Sequence, residues 1–246
     1  MANFKGHEFY DDPEVFEKYT QHRQGIHNPN ERIEKPAVLE LLNGLTGSIL
    51  DLGCGYGDLG PEIVLKGATH YTGIDSSAKM IGMGQSRFGN DRVKLIRSRL
   101  EDWEYPKNAF DWVISRLVFH YVAELSVILN RIHHTLKTDG KLVFSVEHPV
   151  LTSSMHLSRP KGKKQDWMVD EYFNTGIRNQ RWMGGNVEKY HRTIEEYWRL
   201  LVDTGFRVTD IREGCPDPKQ FQDEAEYERR KRIPLFLIIK AVKVDF

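Results

Sequence analysis

Residues 51–60 read DLGCGYGDLG, and Gly55 to Gly60 match G-x-G-x-x-G. Such a loop lets backbone N–H groups approach a polar ligand where any Cβ would collide. Two carboxylates flank it. Asp51 stands just before the loop, and Asp75 closes the next apolar run. About 20 residues past the loop is where a carboxylate grips a ribose diol in adenosine-binding proteins. A second group of polar residues follows later apolar runs: His120 with Tyr121, and Glu147 with His148 before Pro149. An imidazole at His120 or His148 would serve as general base for an oxygen or nitrogen nucleophile. His191 is a further imidazole beside an aromatic-rich stretch. His133 and His134 are adjacent on a helical pattern and point different ways, so no metal-ligand spacing arises.

The elements that must position these residues alternate in kind. A helix over 34–44 precedes a short strand, Ser48 to Gly53, that runs into the glycine turn. Residues 58–67 read as helix and Tyr71 to Asp75 as strand. Ser76-Ser77 suits a helix cap, with a helix running to about Ser86. Val93 to Arg97 and Phe110 to Ser115 are further strands. An amphipathic helix spans 122–137, with Leu125, Ile128, Leu129, Ile132 and Leu136 on one face. Asp139-Gly140 turns the chain into a strand over 141–146. Residues 148–190 show no clear period but hold Trp167, Tyr172, Phe173 and Trp182. A helix over 193–203 and strands over 206–211 and 235–244 complete the chain. This alternation predicts an α/β fold, a doubly wound, mostly parallel sheet with helices on both faces. Right-handed crossovers place the strands' carboxyl ends, and with them Asp51, Asp75, Ser115, His120 and His148, on one edge.

The string from Ile49 to Gly57 resembles the first motif of class I S-adenosylmethionine-dependent methyltransferases. Gly73 to Ser77 resembles their second motif, and FDWVIS (110–115) and LKTDGKLVF (136–144) resemble their later strands in order. The resemblance covers residues 45–147 and extends to the C-terminus by strand pattern. It implies seven strands, with the first central, the last antiparallel beside the fifth, and 206–211 at the edge. It implies S-adenosyl-L-methionine as cofactor and S-adenosyl-L-homocysteine as product. In this chain the loop residues Gly53, Cys54, Gly55 and Gly57 would approach the cofactor, Asp51 would suit its amino group, and Asp75 would accept both ribose hydroxyls. Ser76 and Met80 would line the adenosine, and Ser115 would close the same edge. The adenine would lie beside the backbone of Leu100 and Glu101, where Arg99 replaces an acid common in the family. Tyr19 and Arg23, in an N-terminal cover helix within residues 1–30, would close the other side, with Arg23 toward the cofactor carboxylate.

The remaining reading is of one domain over 1–246 with residues 148–190 inserted as a substrate lid. A connection this long in a compact domain is commonly a lid, and its aromatics predict an apolar wall around a small-molecule acceptor. Lys plus Arg equals Asp plus Glu, 35 each, so no global field holds nucleic acid or an anionic membrane. No apolar run approaches the roughly 20 residues of a membrane-spanning helix. Two cysteines give no disulfide framework, and the cytoplasm is the expected compartment. No feature sets an oligomeric state. Two alternatives stay open. An RNA or DNA methyltransferase would use the basic clusters RPKGKK (159–164) and RRKR (229–232), although the Asn/Asp-Pro-Pro-Tyr string of exocyclic-amine enzymes is absent after the fourth strand. A nicotinamide-dependent oxidoreductase shares the glycine loop.

Overall fold

A computed structural model of the chain describes residues 28–154, 166–182 and 185–244, together with residues 3, 4, 11 and 16. Its strands are β1 (Asn3–Phe4), β2 (Gly47–Leu52), β3 (Ala68–Asp75), β4 (Val93–Arg97), β5 (Phe110–Arg116), β6 (Leu136–Glu147), β7 (Gly176–Trp182), β8 (Gly185–His191), β9 (Phe206–Arg212) and β10 (Phe236–Lys243). Its helices are α1 (Lys35–Leu41), α2 (Leu59–Leu65), α3 (Ala78–Phe88), α4 (Leu125–Thr135), α5 (Pro149–Thr152), α6 (Ile194–Asp203) and α7 (Glu224–Lys231). A π-helical turn, Asn30–Glu34, leads into α1.

The main sheet has seven strands in the order β4-β3-β2-β5-β6-β10-β9. β2 pairs in parallel with β3 and β5, β3 with β4, and β5 with β6, whereas β10 runs antiparallel to both β6 and β9. The expected order is therefore present: β2 is interior, β10 lies beside β6, and β9 forms the edge. Interior parallel strands face helices on both sides and read as continuous apolar runs. Alternation along β2 divides them. Leu50 and Leu52 join Ile128, Leu129, Ile132, Tyr197 and Leu201 under α4 and α6. Ile49 joins Val38, Leu41, Ile63, Tyr71 and Ile81 under α1, α2 and α3.

Local chemistry sets the helix starts. Ser77 accepts the Met80 N–H at 3.2 Å as the N-cap of α3. Thr193 accepts the Glu196 N–H at 3.0 Å as the N-cap of α6, and a Thr-x-x-Glu start is a capping-box sequence. One boundary differs from expectation. The strand expected at 141 begins at Leu136, directly after α4. Asp139 has φ +57° within it, and Leu136 pairs with Phe110 while Lys141 pairs with Trp112. Asp139-Gly140 is thus a bulge inside β6 rather than a turn before it.

The insertion differs more. After the short α5, β7 and β8 form an antiparallel hairpin, and β1 adds in parallel to β8 as a separate three-stranded sheet. Of its aromatics Phe173 is 87% exposed and Trp167 and Tyr172 are half-buried, while the hairpin's buried side chains are Arg178, Gln180, Val187, Lys189 and His191.

Candidate active site

At the carboxyl end of β2 the chain turns back at Gly53, whose φ is +75°. A Cβ there would stand 2.2 Å from Val118 Cγ2, so the turn requires glycine. Gly53 and Cys54 donate their N–H groups to the Ile74 carbonyl at 2.8 and 3.0 Å, tying the loop to the end of β3. α3 approaches from outside: a Cβ on Gly84 would lie 2.3 Å from the Tyr56 carbonyl oxygen. Asp75 then receives two backbone donors, Gly55 N–H on Oδ2 and Ser77 N–H on Oδ1, each at 2.9 Å. These two backbone donors fix the orientation of the carboxylate at the end of β3.

Asp51 is 2% exposed. Tyr71 Oη donates to its Oδ2 at 2.5 Å, while Oδ1 is buried without a hydrogen-bond partner. Burial pushes this carboxyl up to about 7, against the opposing pulls of Tyr71 and Arg116. A buried acceptor left unsatisfied costs free energy unless a ligand supplies a donor. The site therefore fits a group carrying an N–H or a positive charge beside the glycine loop and a diol at Asp75.

Across the same edge, Ser115 Oγ donates to the Leu52 carbonyl at 2.9 Å. Glu34, fully buried at the end of the π-helical turn, accepts from Arg116 Nε at 3.0 Å and from Ser145 Oγ at 2.6 Å, so it links the start of α1 to β5 and β6. His120 is 1% exposed, and its Nδ1 accepts the Glu147 N–H at 3.3 Å. Burial pushes its pKa down to about 3, with Lys189 and Arg192 adding to the effect and Glu147 opposing it. An imidazole accepting at Nδ1 carries its proton on Nε2 when neutral. Lys189, on β8, donates to Glu147 Oε1 at 2.6 Å and stands 5.3 Å from the Tyr121 ring centroid. Arg192 donates to the carbonyls of Val122 and Ala123, both at 2.6 Å. His148 has both ring nitrogens engaged: Nδ1 accepts the Val150 N–H at 3.2 Å, and Nε2 lies 3.0 Å from Glu213 Oε1. Burial lowers its pKa although Glu213 pulls upward. His191 bridges Thr152 Oγ1 at 2.6 Å and the Tyr172 carbonyl at 2.9 Å.

Comparison with known proteins decides the family. Residues 49–140 match a methyltransferase-domain family model. An uncharacterized protein of Haemophilus influenzae is 32% identical over 96% of this chain and 97% of its own length. A solved structure from Listeria monocytogenes, described as a candidate S-adenosylmethionine-dependent methyltransferase, is 32% identical. It covers 86% of this chain and 97% of its own, with a TM-score of 0.78. The S-adenosylmethionine-dependent methyltransferase of Mesorhizobium loti is 28% identical, covers 88% of this chain and all of its own, and gives a TM-score of 0.79. The chain is a class I S-adenosylmethionine-dependent methyltransferase.

In this methyltransferase the loop residues Gly53, Cys54, Gly55 and Gly57 converge with Asp51 and Asp75 at the ends of β2 and β3. Met80 is buried in the first turn of α3, and the Ser76 carbonyl accepts from Arg97 Nε at 3.3 Å. Leu100 is buried and its carbonyl accepts from Tyr105 Oη at 3.1 Å. Glu101 is paired with Arg99 at 3.6 Å, and its carbonyl accepts from Arg131. Tyr19 and Arg23 lie outside the described residues, as does most of the expected cover helix. Two points of that segment are described: Asp11 accepts from Ser77 Oγ at 2.7 Å, and the Phe16 ring lies 5.7 Å from Lys79 Nζ.

Sequence reasoning missed Tyr71, Glu34, Arg116 and Lys189. Tyr71 shares the Ile49 face by strand alternation, so its approach to Asp51 had a faint signal. Glu34 and Lys189 had none, because their partners are 82 and 42 residues away.

Proposed function

We propose that this enzyme methylates a small-molecule acceptor bound beneath the insertion 148–190, over the carboxyl ends of β5 and β6. The observation that carries the reading is where the hairpin sits. Lys189 and Arg192 reach the segment 119–123 and Glu147, while His191 and Arg178 reach Thr152 and Ser153. A covered edge suits an enclosed acceptor better than an open phosphate-tracking groove. One of the basic clusters raised for nucleic acid is engaged internally. Arg229 and Arg230 each pair with Glu226 at 2.8 Å, Lys231 pairs with Glu228 at 2.8 Å, and Arg232 lies 5.2 Å from the Trp167 ring centroid. The cluster 159–164 lies outside the described residues.

In this reading Asp75 accepts the ribose hydroxyls, Asp51 Oδ1 faces the cofactor's amino group, and the backbone from Gly53 to Gly57 follows its methionine portion. Ser76, Met80 and the Leu100-Glu101 turn border the adenosine. S-adenosylmethionine would supply a sulfonium methyl group, transferred in line to the acceptor's lone pair as the S–CH3 bond breaks and the neutral thioether of S-adenosylhomocysteine leaves. Alignment and exclusion of water then supply most of the acceleration. His120 stays neutral because it is buried, and we assign it to orient the acceptor through Nε2. His148, engaged on both nitrogens, holds α5 and Glu213 in place. Incubation with methyl-labelled S-adenosylmethionine should place label in the small-molecule fraction of a cell extract. Label confined to RNA, with salt-sensitive retention of the protein, would overturn the proposal.

A further inference from the structure

Gly60, the last glycine of the loop motif, makes room for a ring. A Cβ there would stand 3.0 Å from Cδ1 of Tyr71, so the glycine lets α2 close on that side chain. Tyr71 lies on β3 opposite Ile49, and Gly73 lies opposite Asp51. Strand alternation puts Tyr71 and Gly73 on one face. Gly73 brings no side chain, and the Tyr71 hydroxyl comes to Asp51 instead. Its Oη donates to Asp51 Oδ2 at 2.5 Å, and the two residues are 1% and 2% exposed.

The two carboxyl oxygens are thereby made unequal. Oδ2 receives the hydroxyl, whereas Oδ1 is buried with no hydrogen-bond partner. Burial and the neighbouring carboxylate push the Tyr71 hydroxyl well above its ordinary range, so it keeps its proton and stays a donor. Burial favours the neutral form of Asp51, and Asp58 and Asp75 act in the same direction. The Cys54 thiol is a further acid beside it. The Tyr71 hydrogen bond is the largest influence favouring the anion, ahead of Arg116, which Glu34 holds in turn. A hydrogen bond to the ionised form favours that form. The same bond fixes the rotation of the carboxyl and leaves Oδ1 as the oxygen without a donor.

We infer that Tyr71 is a positioning residue for the cofactor: acting through Asp51, it sets which carboxyl oxygen meets the cofactor's amino group and keeps that carboxyl anionic. Gly60 belongs to the same device, because a side chain there would crowd the ring. This inference rests on the placement of the amino group at Asp51.

The test compares Tyr71→Phe with the wild-type protein by calorimetry from about pH 6 to about pH 9. Two ligands are titrated: S-adenosylhomocysteine, and 5′-methylthioadenosine, which keeps the nucleoside but lacks the amino acid portion. In the wild type, S-adenosylhomocysteine affinity should step upward at about pH 7, and methylthioadenosine affinity should not. Tyr71→Phe should move the step up by about one pH unit, the change expected for one hydrogen bond to a charged group. At pH 7 that is about a fivefold loss of S-adenosylhomocysteine affinity, which shrinks again as pH rises. Methylthioadenosine should bind both proteins alike, whereas a merely structural role would weaken both ligands at every pH. Titration of the ligand's own amino group is common to both proteins and cancels in the comparison. If Tyr71→Phe does not fold, uniform replacement of tyrosine by 3-fluorotyrosine, a stronger donor, should move the wild-type step down. A step that stays in place under either change, or an equal loss for both ligands, would overturn the role of Tyr71 alone. A wild type with no step for S-adenosylhomocysteine would overturn the placement of the amino group, and the role of Tyr71 with it.

Discussion

The two halves of the binding edge are built by different means. Around β2 and β3 the backbone does most of the positioning. Gly53 turns with positive φ, the Ile74 carbonyl collects two N–H groups, and Asp75 is oriented by the amides of Gly55 and Ser77. Every participant lies within about 25 residues of sequence, the length of one βαβ unit. Around β5, β6 and the hairpin, side chains do the work. Lys189 reaches Glu147, Arg192 caps the carbonyls after residue 121, Arg178 holds Ser153, and Glu34 clamps Arg116 and Ser145. Backbone geometry tolerates many side-chain identities as long as the glycines remain. A buried polar network tolerates few, because losing one member strands the others.

The contrast can be broken experimentally, beginning with its largest expected effect. On the proposed cofactor placement, Asp75→Ala removes two ribose hydrogen bonds to a charged group, each worth about 1.5–3 kcal/mol. S-adenosylhomocysteine affinity should fall by about a hundredfold or more in calorimetry, while the circular dichroism spectrum persists. Arg178→Ala should do the reverse. Three carbonyl acceptors lose their donor, at about 1 kcal/mol or more each. Hydrogen exchange of residues 176–191 should accelerate correspondingly, with cofactor affinity retained.

A smaller effect concerns Asp51. Its folded-state pKa is raised from 3.8 to about 7, so between those values the folded protein binds a proton that the unfolded chain has lost. This group's contribution to stability therefore falls as pH rises from about 4 to about 7 and is constant above. The ionised form suits a cationic amino group, so cofactor affinity should rise by about tenfold from pH 6 to pH 8. Asp51→Asn should flatten both profiles, read by denaturant titration and calorimetry across pH. The smallest effect is at the rim: Phe173→Ser, at an 87% exposed position, should change stability by less than about 0.5 kcal/mol. A large loss there would mean that the outward face of the insertion is buried by something else.

The sequence alone determined the parallel sheet, the cofactor loop and the carboxylate at Asp75. Those features are written in short-range patterns: apolar strands, glycines before a helix, a carboxylate one βαβ unit later. Val93–Arg97 was legible to the residue, and Ser77 was legible as a cap, because its hydroxyl bonds only three residues ahead. Tertiary structure alone decided the insertion. Its aromatics predicted an apolar wall, yet hairpin pairing turned Arg178, Gln180 and Lys189 inward and left Phe173 outside. A one-residue shift of strand register exchanges the two faces, and nothing local in 176–191 says which face the rest of the molecule will cover. The same holds for Glu34, whose role exists only because the π-helical turn before α1 packs its carboxylate against β5 and β6. Where partners are close in sequence, residue types disclose the geometry; where they are distant, only packing can bring out which buried charges meet.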